Sequence, residues 1–221
     1  MSEQLQQARR QAPTTTNRGA IRVLAAAGIA GPVLFAVTTV ALGLLRPGFS
    51  FVADPLVALV FGPGGWVQRA NLMVVGLLLM VFAVGLHRAL PRTRWGAAGP
   101  ALLALSGVGP VLAGFTDPVP PHFMLVFGSA TVAFALLSRR MARDPDWRGL
   151  SGYTLGTAIA IVVVVPLHSA LALPVGAPLH PWWGVLNHTA VALWLGCVLV
   201  LAIRSLRRWS VSGGSPAGYA P

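Results

Sequence analysis

The chain has 221 residues, of which 55% are hydrophobic and only 10% charged, with a mean hydropathy of +0.72. A soluble globular domain is about a quarter charged, so this chain cannot cover a water-facing surface and takes lipid as its solvent. The formal charge of +11 does not mark a nucleic-acid binder, because the basic residues, all arginine, fall in short clusters between apolar runs instead of on one folded polar face.

Residues 1–18 are polar, rich in Gln and Thr, without apolar period, and read as a disordered cytoplasmic tail. The first apolar run, Ile21 to Leu45, exceeds the roughly 7–15 residues of a secretory signal core and carries no small-residue cleavage site. It is therefore expected to stay as a spanning helix. Five more runs follow: Ala70 to Leu86, Trp95 to Phe115, Phe123 to Ser138, Tyr153 to Leu173 and Gly184 to Ile203. A span takes about 17–25 residues, and the second and fourth runs reach that length only when Gln68, Arg69 and His122 enter the interface. Cys197 is the single cysteine and sits within an apolar run, which excludes internal disulfides and cysteine-based zinc sites. The Ser/Gly/Pro-rich residues 209–221 read as a second disordered tail. The expectation is one all-α membrane domain over residues 19–208, a six-transmembrane-helix bundle with both termini cytoplasmic.

Arginine placement tests that threading independently. With the amino terminus inside, fourteen of the sixteen arginines fall on the cytoplasmic side, and only Arg46 and Arg69 fall outside. This is the positive-inside bias, and a wrong helix count would scramble it. The expected location is a bacterial inner membrane. Gly96, Gly99, Pro100, Gly107, Gly109 and Pro110 in the third span, and Pro166 in the fifth, read as close helix packing with re-satisfied proline kinks.

With the cytoplasmic arginines set aside, most remaining polar residues share the outer level. Asp54 lies in the first external segment, and Gln68 and Asn71 lie three apart on one helix face at the head of the second span. Asp117 and His122 flank the fourth span, within the stretch GFTDPVPPHF. His168 comes about one turn before the outer end of the fifth span, and Asn187 and His188 about one turn into the sixth. Each has a plain explanation beside a functional one. Asp54 and Asp117 both precede proline, the ordinary chemistry of a cap or turn. Trp182 and Trp183 fit an aromatic belt. His168 and His188 interrupt apolar runs, where an ionisable group usually faces a cavity or a partner.

Asp54, the stretch GPGGWVQRANLMVVGLLL from Gly62, GLHRAL from Gly85 and SGVGPVLAGFTDP from Ser106 together resemble the bacterial membrane family catalogued as domain of unknown function 998. The motifs are Trp66-x-Gln68-x-x-Asn71 at the head of one helix and Phe115-x-Asp117 at the exit of the next. The resemblance extends from Ile21 to about Leu206 and implies six helices without implying an activity. In place of the family's Gly-x-x-His near the fourth helix, this chain reads PPHFMLVFGSA.

Two functions remain at this level. One is a non-catalytic protein that handles a membrane lipid or other apolar small molecule, whose head is oriented by Trp66, Gln68, Asn71, His122 and Asn187. The other is an embedded acid–base enzyme, terpene-cyclase-like, with Asp117 or Asp54 as proton donor and His168 or His188 as partner, since a desolvated carboxyl has a raised pKa. A metal version would draw on the same histidines and an aspartate, but no HExxH or other tight ligand spacing occurs, and no cofactor is expected. The inner halves of the spans hold no acidic or basic residue, so a relay across the whole bilayer has no rungs.

Overall fold

In the computed structural model the described residues are 15–90, 96–117, 120–172 and 176–211. Of the two expected tails, residues 1–14 and 212–221 lie outside this description, and the residues adjoining them belong to the first and last helices. Six α-helices follow in order: α1 (Thr15–Leu45), α2 (Gly65–Ala89), α3 (Ala98–Phe115), α4 (Pro120–Met141), α5 (Arg148–Leu167) and α6 (Trp183–Val211). All six are long and apolar enough to cross a membrane. Their outward faces carry exposed Val37, Leu44, Leu77, Val81, Ile159 and Val162, the surface expected of a bundle solvated by acyl chains. The chain is a multi-pass membrane protein.

The two runs that were short in the sequence gain their length as expected. Helix α2 begins at Gly65 and so includes Gln68 and Arg69, and α4 begins at Pro120 and includes His122. Proline suits the first helical turn, where a missing N–H costs no bond. Gly64, just before α2, has φ +78°, a left-handed turn that glycine adopts without a Cβ penalty.

Helices adjacent in sequence pack side by side, and α6 returns against α1 to close a ring. The α2–α3 contact is made through two glycines: a Cβ on Gly107 would lie 2.6 Å from the Gly76 carbonyl, and one on Gly76 would strike the Gly107 carbonyl. Close backbone approach of this kind is how helices gain dispersion contact where no hydrophobic force separates them from lipid.

The two ends of the bundle are built differently. At the end holding the termini, the α4–α5 turn seats the fully buried Trp147 among Leu137, Met141 and Leu201 in the core. Asp144 and Asp146 there face Arg208, at 3.7 and 2.8 Å, and Arg204 donates to the Asp146 carbonyl. Buried Arg140 donates to the Gly96 carbonyl. At the other end, residues 46–64 fold over the helix ends. Arg46 donates to the Ala58 carbonyl at 2.6 Å, and a short 3-10 helix (Leu56–Val60) inserts Leu56, Leu59 and Val60. Helix α5 finishes in a π-helical turn, His168–Ala172, two residues after Pro166 has removed one backbone donor from the helix ladder.

Candidate ligand cavity

The loop-covered end encloses a cavity of about 360 Å³. Its wall is shared by Phe35 from α1, Leu56 from the 3-10 turn, Gln68 and Leu72 from α2, Gly109 and Ala113 from α3, Phe123 and Phe127 from α4, His168 and Ser169 from the π turn, and Trp183, Asn187, Val191 and Trp194 from α6. The wall is overwhelmingly apolar and aromatic. His122, Met124, Ser169 and Trp183 keep part of their surface exposed. Among the described residues, no arginine, aspartate or glutamate lines it.

Four of the residues singled out in the sequence converge here: Gln68, His122, His168 and Asn187. His168 is buried, with its Nε2 accepting from the Trp183 indole at 2.7 Å. An indole N–H only donates, so the imidazole is neutral and carries its proton on Nδ1. That atom has no partner among the described residues and no solvent access, and Phe123 stacks on the ring at 4.8 Å. Gln68 is spent internally: Nε2 donates to Thr39 Oγ1 at 3.2 Å, and Oε1 accepts from Asn71 Nδ2 at 3.2 Å. Asn71 thus stands behind Gln68, with its own Oδ1 unpartnered in the core. Asn187 Oδ1 accepts the Leu56 backbone N–H at 3.0 Å, tying the covering loop to α6.

Five of the residues singled out do not line the cavity. Asp117 is exposed and ion-pairs with Arg69 at 2.8 Å, while the same guanidinium donates to the Thr116 carbonyl. Asp54 accepts the Ser50 backbone N–H at 2.8 Å and closes its own turn. Trp66 is 73% exposed. His188, one residue past Asn187, turns about 100° around α6 and meets the Phe51 ring at 5.7 Å. Asn71 supports the site from behind, as described. Asp117, Asp54 and His188, offered as acid and partner, thus lie outside the cavity that His168, Asn187 and Gln68 line.

Sequence reasoning missed Thr39, the partner of Gln68, and read Trp183 as a belt residue. A signal for Trp183 exists: Trp183, Asn187, Val191 and Trp194 recur at helical spacing and form the one face of α6 that lines the cavity. Trp194 also donates to Ser106 Oγ at 3.3 Å, which pins it against α3.

A six-helix membrane bundle with a neutral, aromatic-walled cavity at one end is the class that fold and site define. The chain belongs to the family described as protein of unknown function (DUF998), whose model matches residues 29–204. No curated protein and no solved structure matches the chain.

Proposed function

We propose that this protein binds a small amphiphilic, lipid-like molecule in the cavity, at the outer leaflet of a bacterial inner membrane, with both termini cytoplasmic. The arginine bias supports the orientation, and the observation that carries the reading is the cavity itself. Its volume lies within the 300–1,000 Å³ typical of ligand sites, and its make-up, apolar walls with a few placed polar groups, is also typical. The acid–base alternative needs a carboxyl group beside the substrate, and the aspartates are engaged elsewhere: Asp54 in a turn, Asp117 with Arg69, Asp144 and Asp146 at the opposite end. A general acid must lie within hydrogen-bond reach of the proton's destination, so binding is favoured over acid catalysis.

The test fills the space. Ala113 lines the cavity and is 8% exposed. Purified protein in detergent should be stabilised by amphiphiles of suitable size, by about 2.7 kcal/mol at a hundredfold excess over Kd. Ala113→Phe should remove that gain while leaving the ligand-free protein folded. Persistence of the full gain in Ala113→Phe would place the ligand elsewhere.

A further inference from the structure

The polarity of the cavity's head-group site is set by one amide. Asn187 is 8% exposed and projects from α6 into the cavity wall. Its two polar atoms are distinguishable because the Leu56 backbone N–H, an obligatory donor, sits 3.0 Å from one of them and fixes that atom as oxygen. The remaining atom, Nδ2, is a donor with no protein acceptor among the described residues, and it is absent from the buried unpartnered atoms that include His168 Nδ1. It is thus both unused and reachable. The other polar groups impose no competing sense. The Gln68 amide is held by Thr39 and Asn71, the His168 Nε2 by Trp183, the His122 imidazole has an interaction of its own, and the Ser169 hydroxyl can turn to donate or accept.

Resting on the ligand-binding reading above, we propose that the ligand is a neutral hydrocarbon-bodied molecule presenting one acceptor oxygen, of the ketone, ester or ether class, to Asn187 Nδ2. A donor-only head such as an ammonium would meet a donor. An anion would be stripped of water with no cation in the wall, a cost that an unpaired buried charge cannot recover. A single chain or ring system enters the cavity as the ligand's body. The rings of Phe123, Phe127 and Trp194 supply flat walls for that body.

The experiment compares straight-chain probes of equal length, 2-tridecanone, tridecane, tridecan-1-amine and tridecanoate. Affinities are read by calorimetry on the full chain in dodecyl maltoside, with concentrations expressed as mole fraction in the micelle. One net hydrogen bond corresponds to roughly a 3- to 10-fold preference, so the ketone should bind tighter than the alkane by that factor and tighter than either charged probe. Asn187→Asp keeps an oxygen for the Leu56 N–H and replaces the cavity-facing donor by an acceptor. An ammonium beside it keeps the new carboxyl ionised, so the variant should take up the amine that the native protein rejects. Equal binding of ketone and alkane by the native protein, or a native preference for amine or carboxylate, overturns the head-group assignment and leaves the cavity reading standing. Absence of binding by all four probes overturns both. The native comparison needs no variant, so a misfolded Asn187→Asp still leaves the proposal open to refutation.

Discussion

The two ends of the bundle are made by the same six helices and solve opposite problems. Around Trp147 the chain gathers charge: Asp144, Asp146, Arg140, Arg204 and Arg208 bond one another or backbone carbonyls, and Trp147 and Met141 are fully buried beside them. Around His168 it gathers neutral polar groups and leaves space. The difference follows from the cost of desolvation. At the charged end Asp144 and Arg140 are buried, and their charges are offset by Arg208 and by the Gly96 carbonyl. Around the cavity the buried polar groups are neutral, and single hydrogen bonds hold the His168 Nε2 to Trp183 and the Gln68 Nε2 to Thr39. One end therefore fastens, and on the proposed reading the other recognises.

The sharpest way to break this contrast is at the fastened end. Trp147 is fully buried, and Trp147→Ala removes a large side chain from a packed core, for an expected loss of about 3–5 kcal/mol. Unfolding in mixed micelles should show that loss, while the stabilisation conferred by a cavity ligand is retained in the fraction still folded. A simultaneous loss of ligand response would mean that the two ends are coupled, and the division of labour would fail.

At the recognising end the informative pair is Trp183 and Trp182. Trp183→Phe leaves the buried His168 Nε2 without its donor, and a buried polar group so orphaned costs about 1–3 kcal/mol. Trp182 is 55% exposed, and Trp182→Phe should stay within about 0.5 kcal/mol of the parent. Thermal unfolding of the two variants side by side reads the difference. Equal effects would show that the Trp183–His168 bond contributes nothing and that both residues are belt anchors, as their adjacency in the sequence first implied.

That pair also shows where sequence reasoning stops. Helix number and span length follow from hydropathy and the bilayer's thickness, which act on each segment alone, so the extension of α2 to take in Gln68 and Arg69, and of α4 to take in His122, could be anticipated. Depth along the membrane follows from position within a run, so Gln68, His168 and Asn187 could be placed at one level. Rotation about the helix axis is different. It decides that Trp183 faces inward and Trp182 outward, and that Asn187 faces the cavity while His188 faces Phe51, and it is settled by packing between helices distant in sequence. The Leu56 N–H that orients Asn187 comes from a loop 131 residues away. Composition also misdirects at Asp117, because scarcity of acid drew attention to a carboxylate whose partner is Arg69, a neighbour at its own end of the bundle.

The smallest expected effect therefore falls on the residue whose sequence context was most conspicuous. The Asp117 side chain is 77% exposed and its Arg69 partner 26%, so the pair is solvated and screened, and exposed ion pairs contribute about 0–1 kcal/mol. In Asp117→Asn the amide oxygen can still accept from the guanidinium, and Arg69 keeps its 2.9 Å bond to the Thr116 carbonyl, which holds the α3 exit independently of charge. The variant should lose well under 1 kcal/mol and bind the cavity ligand as the parent does. Arg69→Met removes both contacts at once and should cost more, and the excess over Asp117→Asn measures the carbonyl clamp. If Asp117→Asn instead abolished ligand binding without moving the melting temperature, the carboxylate would have to reach the cavity mouth in the bound state. The recognising end would then use charge as the fastened end does.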